Sequence, residues 1–278
     1  MPSIRDLLKA IQQGMRDACE DSVIFTNRWT DEIAAEYLLT VNVAKNIGKL
    51  NTFYGDPYVI QLECSTKEFA ANCFPLVARI PVNEDGIAGM KSVIRERHHN
   101  TSRNGRIDVA VFDEDCSMRA TSLCAIELKG FNPSQSVVIG DLARNAEYFS
   151  QTSQTGRSSL LFTAFGSIES RKNAFVDQEN LEGVLARYST WMSKIVDPGN
   201  FDAEVGTFTV RIQAKEPGID SDTGGPDWAD DENHHFIGVL VVFTPKNGSK
   251  DLVREILSDM RGPESAASPV PNGAKTLS

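Results

Sequence analysis

The sequence lacks the long apolar stretch that a membrane span requires. Its longest near-continuous apolar run, Phe236 to Phe243, is eight residues, against the roughly 20 that cross a bilayer as a helix. An integral membrane protein, and a membrane as partner, are therefore not expected. The opening MPSIRDLLKAIQQGMRD has no charged-then-apolar signal region, so the expected location is cytoplasmic. Cysteine is sparse and poorly spaced. There are five (Cys19, Cys64, Cys73, Cys116 and Cys124), an odd number with no CxxC pair. That disfavours a disulfide framework or a structural zinc site and leaves reduced thiols used as small packing residues. A GxSxG elbow, a Walker loop, a GxGxxG turn and internal repeats are also missing.

Positive charge is in short supply. The chain holds 28 Lys and Arg against 38 Asp and Glu, a net charge of −10, which argues against a general coat of nucleic-acid-binding charge. The average conceals two opposed segments. Residues 216–232 (EPGIDSDTGGPDWADDE) hold seven acids and no Lys or Arg. Residues 91–106 (KSVIRERHHNTSRNGR) hold five Lys or Arg, two His and one acid.

The 278 residues, 41% hydrophobic and 24% charged, suit one large domain or one domain with an extension. Helical spacing of Ile4, Leu7, Leu8, Ile11 and Met15 predicts a helix over 3–20. A second helix is expected over 30–47, capped by Thr30 or Asp31 and ended by Gly48. A strand (YVIQLE) follows the Gly-Asp-Pro turn at 55–57. Further helices are expected at 66–73 and around 86–97. Alternation of β-branched residues predicts strands at 106–112 and 122–131, joined as a hairpin. Beyond them come a helix at 136–151, a buried strand at 158–165 and a helix around 177–196. Strands at 206–214 and 236–244, joined by the acidic loop 216–232, and a helix at 249–260 complete the set. The tail from 261 has no apolar pattern.

The chemistry concentrates in Gly105-Arg106-Ile107-Asp108 and Ala125-Ile126-Glu127-Leu128-Lys129-Gly130. Strand parity puts Ile107, Val109 and Val111 on one face, matched by Cys124, Ile126 and Leu128. Asp108, Glu127 and Lys129 fall on the other face, beside Ala110 and Ala125. A hairpin centred between Ser117 and Met118 sets Asp108 across from Glu127 and Ala110 across from Ala125. Facing carboxylates repel unless a positive charge lies between them. Lys129 offsets part of this; a divalent cation offsets more, and hard oxygen donors suit Mg²⁺ or Mn²⁺ rather than zinc. The plain alternative is a solvated strand face with an ordinary Glu–Lys pair.

These residues resemble the PD-(D/E)xK nuclease superfamily. The GRID and AIELKG segments carry the likeness, which covers about half the chain, with Arg106-Ile107-Asp108 in place of a literal Pro-Asp. The implied fold is α/β: a mixed central sheet flanked by helices, with a restriction-endonuclease-like α-β-β-β-α-β core and a C-terminal α/β extension. On this division residues 1–29 form an N-terminal helix, 30–170 the core, 171–260 the extension and 261–278 a disordered tail. The resemblance implies that Asp108 and Glu127 bind Mg²⁺ or Mn²⁺, helped by the backbone carbonyl of Leu128. Lys129 orients or deprotonates the attacking water. The family often adds a glutamate from the first core helix; Glu32 and Glu36 are four apart, and Glu36 is preferred because its depth in the helix has no dipole explanation.

The implied activity is metal-dependent phosphodiester hydrolysis. The implied partner is DNA ahead of RNA, in a restriction, phage-defence or repair role, with homodimerisation as one way to cut both strands. Arg95, Arg97, Arg103 and Arg106 are candidates to hold a phosphate backbone beside the metal. Arg144, spaced four before Tyr148, is a further phosphate candidate; pairing with Asp141 or Glu147 competes with that role. His98-His99 and His234-His235 are read as noncatalytic. Two other classes stay open: a noncatalytic nuclease-fold scaffold and an Mg²⁺ enzyme such as a phosphatase.

Overall fold

A computed structural model describes residues 3–26, 36–55, 57–73, 76–79, 92–95, 104–113, 121–149, 159–195, 199–214, 218–219, 226–227, 233–246 and 249–261. Its frame is a six-stranded mixed sheet with helices on both faces. The chain begins with helices α1 (Ile4–Thr26) and α2 (Glu36–Tyr54), strand β1 (Tyr58–Ser65) and helix α3 (Thr66–Asn72). Strands β2 (Leu76–Arg79) and β3 (Ser92–Arg95) pair with each other in a separate two-stranded sheet. Next come β4 (Arg106–Asp113), β5 (Thr121–Phe131), helix α4 (Gln135–Glu147) and β6 (Phe162–Asn173). Helix α5 (Asp177–Met192), β7 (Phe201–Ala214), the two-residue pieces β8 (Gly218–Ile219) and β9 (Pro226–Asp227), β10 (Asn233–Pro245) and helix α6 (Lys250–Asp259) follow.

The main sheet runs β1-β4-β5-β6-β10-β7. Every pairing in it is antiparallel except β5 with β6. A parallel pair cannot be joined by a tight turn, so the chain must cross over, and α4 makes that crossing. One core lies between the sheet and α1, α2 and α6, where Leu7, Ile11, Met15, Leu39, Val43 and Ile256 meet Val109, Ile126 and Leu128. The second lies under α3, α4 and α5, where Phe69, Val138, Leu142, Val184 and Tyr188 meet Ala110, Ala125 and Phe165. Strand β10 is buried on both faces from His234 to Phe243, as its near-continuous apolar sequence requires.

Local chemistry explains the element ends and crossings. Ser3 and Asp6 cap α1 reciprocally: the Asp6 carboxylate accepts from the Ser3 amide at 2.9 Å, and the Ser3 hydroxyl accepts from the Asp6 amide at 3.3 Å. Asp17 and Asp21 of α1 accept from Asn46 and Asn42 of α2 at 2.8 and 3.0 Å. About a turn before Asp17 the two helices nearly touch at Gly14, where an added Cβ would stand 2.5 Å from the Val43 Cα. The described thiols Cys19, Cys64, Cys73 and Cys124 are buried. Burial pushes both Cys19 and Cys64 up to about 11.

Several sequence expectations change. Residues 92–95 form strand β3, not part of a helix, because the short Ser-Val-Ile-Arg run pairs with β2. The buried strand expected at 158–165 runs on to Asn173, held along its length by β10. A division at 170/171 therefore falls inside β6, and β10 and β7 continue the same sheet. The turn at 117–118, His98-His99, most of the acidic 216–232 segment and the tail beyond 261 lie outside the described residues.

Two glycines in helices give opposite expectations. Gly14→Ala should destabilise by about 1–3 kcal/mol, since backbone atoms must move to admit the methyl group. Gly183→Ala, on exposed α5 with nothing within 4 Å of the added carbon, should stabilise by about 0.5–1 kcal/mol through helix propensity. Urea melts of both variants check the pair; equal signs would refute the packing account.

Candidate functional site

Strands β4 and β5 part at the position where the chemistry lies. Their ladder pairs Ala110 with Ala125 and Val109 with Ile126, the register expected from sequence, and the pairs end there. Asp108 does not continue the ladder across from Glu127. Its carboxylate instead accepts the Leu128 amide at 2.7 Å, standing in for a backbone carbonyl. On the other side of β4, Leu62 pairs with Val109 and Cys64 with Ile107, while Glu63 between them has φ +54°. This kink reverses the alternation. Ile107, expected on the face of Val109 and Val111, packs in the opposite core with Cys64 and Phe69.

Glu127 is 3% exposed and shares its sheet side with Ala125. Lys129 follows two residues on, its side chain about one-fifth exposed, and its ammonium is ion-paired to the Glu36 carboxylate. The described part of α2 begins at Glu36, and this helix brings the acid to Lys129 near the end of β5. Glu32, the competing acid, lies outside the described residues. The sequence-selected Glu36, Asp108, Glu127 and Lys129 are thus gathered at one end of the sheet.

The electrostatics are those of a crowded negative site. Burial pushes the Asp108 carboxyl up to about 6. The Leu128 amide and Lys129 oppose the rise, and the charges of Glu127 and Glu36 add to it. Among the described residues, no group of three or more His, Cys, Asp or Glu is arranged to hold a metal ion. The donors present are the buried Glu127 and half-buried Asp108 carboxylates, whose mutual repulsion a cation would relieve. That set fits Mg²⁺ or Mn²⁺, ions that keep several waters and take one or two protein carboxylates.

The phosphate candidates fare unevenly. Arg106 is exposed at the start of β4, next to the Asp108 kink. Arg144 is ion-paired to Asp141, which is fully buried in α4. Arg95 lies on β3, and its side chain is outside the description, as are Arg97 and Arg103 altogether. His234 and His235 are buried, with His235 Nδ1 3.3 Å from Asp177 at the start of α5.

A second buried polar group escapes a reading based on sequence. Ser167 of β6 is the sheet partner of Lys129. Its hydroxyl lies 2.9 Å from the Tyr188 hydroxyl, which donates to Glu169 at 2.6 Å. Arg187 stands 2.5 Å from the same carboxylate. The signal that could have found it is the alternation Ser167, Glu169, Arg171, which continues the strand beyond its apolar part.

Searches against protein-family models, curated proteins and solved structures found no match. The functional reading therefore stands on these residues and their geometry.

The Asp108 carboxyl sets a pH dependence for the metal-free protein. Its folded pKa lies above the ordinary 3.8, so the folded state holds the extra proton between the two values. The stability this contributes is complete below about pH 3.8 and is lost as pH rises through about 6, a difference of about 3 kcal/mol. Asp108→Asn keeps an acceptor for the Leu128 amide and removes the titration. In EDTA it should melt higher than the natural protein at pH 7.5 and show no such gain at pH 4. An equal melting difference at both pH values would contradict this account.

Proposed function

We propose that this chain is a divalent-metal-dependent nuclease of the PD-(D/E)xK type, acting on DNA as an endonuclease. The observation that carries the reading is the convergence of Asp108, Glu127, Lys129 and Glu36 where β4 and β5 part. The order α2-β1-β4-β5-α4-β6, with strands adjacent as β1-β4-β5-β6 and only β5–β6 parallel, supports a restriction-endonuclease-like core. In this reading β2 and β3 are an insertion, and β7, β10, α5 and α6 are the extension.

Asp108 and Glu127 hold the metal, with the Leu128 carbonyl as a third donor. Bound there, Mg²⁺ or Mn²⁺ would neutralise charge on the phosphate and make a water more acidic. The Leu128 amide fixes the Asp108 carboxylate, so the donor oxygens need little reorganisation. Lys129 stands beside them with a proton to hold or move, and Glu36 orients its ammonium. Arg106 borders the site as a contact for the nucleic-acid backbone. Restriction, phage defence and repair all use such chemistry. The Lys129–Glu36 ion pair also suits a noncatalytic module that binds nucleic acid through the same fold.

Purified protein incubated with plasmid, linear duplex, single-stranded DNA and RNA separates these readings. With Mg²⁺ or Mn²⁺ it should cut DNA, and EDTA should stop the reaction. Asp108→Ala and Lys129→Ala should each lower the rate by a factor of at least ~10², with little change in the circular-dichroism spectrum. Cutting that survives either substitution would reject the site. Absence of cutting together with absence of calorimetric Mn²⁺ binding would favour the noncatalytic module.

A further inference from the structure

Beyond the four residues of the site, the same sheet face carries a charge cluster of the opposite sign. Lys129 and Ser167 are partners across the parallel β5–β6 pair, so their side chains leave the sheet on one side. Glu169 and Arg171 continue that side of β6 at two-residue steps, ~7 Å apart along the strand. Glu169 is 2% exposed. Its carboxylate is met by the Tyr188 hydroxyl at 2.6 Å, Arg187 at 2.5 Å and Arg171 at 3.6 Å. Burial, then the charge of Glu169, raises Tyr188 far above the ordinary phenol range. It is therefore a neutral donor to Glu169, and Ser167 donates to it.

Two guanidinium groups thus surround one carboxylate and leave one positive charge in excess. A buried carboxylate needs one such partner; the second exceeds that need. Both arginines keep about a third of their side-chain surface exposed. Arg187 lies over the Tyr188 and Trp191 rings, 5.7 and 5.2 Å from their centres, and so is fixed in place. Its Nε–H is buried without a hydrogen-bond partner among the described residues, so the exposed part of the guanidinium is what an anion would meet. Exposed Lys172 follows Arg171 but leaves the strand on the opposite side. A fixed, planar donor with spare charge suits an anion bearing several acceptor oxygens.

We infer that Arg171 and Arg187, braced by the buried Glu169–Tyr188–Ser167 chain, form a phosphodiester-binding site for the nucleic-acid strand that enters at Lys129. This rests on the nuclease reading and extends it: β6 and α5 hold the backbone beyond the scissile phosphate. Glu169 is the positioning residue and moderates the site's charge. It follows that removing the Glu169 charge tightens nucleic-acid binding while loosening the fold. A purely structural network would loosen the fold and leave binding alone.

The test measures fluorescence anisotropy of a labelled duplex and a labelled single strand in EDTA, across a range of salt. Melting by circular dichroism runs alongside. For the double variant Arg171→Gln/Arg187→Gln, affinity should fall tenfold or more, and the slope of log K against log salt should drop by about 2, roughly 0.9 for each lost contact. Arg171→Gln alone, which keeps the shorter Arg187–Glu169 pair, should lose about half of that slope and guards against misfolding of the double variant. Glu169→Gln should bind at least twofold tighter and melt lower. Lys246→Gln, at the opposite end of β10, should leave the slope unchanged. If the natural protein binds but folded Arg171→Gln keeps its slope, or Glu169→Gln binds no tighter, the phosphate site is wrong and the nuclease reading stands. If the natural protein binds neither DNA nor RNA, the nuclease reading falls and this site with it.

Discussion

One parallel strand pairing organises the molecule. Every other neighbour in the main sheet is antiparallel. Because β5 and β6 run the same way, their carboxyl ends finish together, and the chain must pass over the sheet between them as α4. That crossing covers one side with Val138, Leu142 and Ala146. It also brings Glu127 and Lys129 level with Phe165 and Ser167. Were β6 antiparallel to β5, the same residues would be divided between opposite ends of the sheet. The gathering of charge at one end thus follows from strand direction, before any individual contact is considered.

At that end the charges are balanced in two different ways. Lys129 pairs with Glu36 and lowers the energy of the Asp108 charge, while Glu127 and Glu36 oppose that charge, so carboxylates dominate the surroundings of Asp108 among the described residues. Glu169 lies between two guanidiniums and receives a hydroxyl, so the second group has positive charge to spare. Burial raises the energetic consequence of both imbalances, since an uncompensated charge costs most where water is absent. Under the proposed function a cation would answer the first imbalance and an anion the second. A metal-bound phosphodiester strand would bring the two together.

Much of the architecture was legible because it rests on periodicity. The apolar stripe of α1, the alternation in β4 and β5 and the uninterrupted run in β10 each read directly as elements. The Ala110–Ala125 register was legible too, since opposite faces must match. The unforeseen features depend on distant contacts. Glu63 takes a positive φ against β4 and turns Ile107 to the other core, which no local pattern reports. The polar end of β6 reads as loop until Tyr188 and Arg187, from a helix some twenty residues later, satisfy it. Residues 92–95 offer only a two-residue apolar cue, Val93-Ile94, too short to mark a strand locally. Arg144 was legible only as two alternatives, and the structure places it on Asp141.

The distribution of thiols has a practical consequence. Cys19 and Cys124 lie in the core beneath α1 and α2, and Cys64 and Cys73 lie in the core beneath α3 and α4. Each is sealed from solvent, and burial of Cys19, Cys64 and Cys124 disfavours the thiolate that alkylating reagents require. A cysteine in either layer reacts only when that layer opens. The two halves of the molecule therefore carry built-in chemical clocks. Peptide-resolved alkylation would time the separation of each helical layer from the sheet without any engineered label.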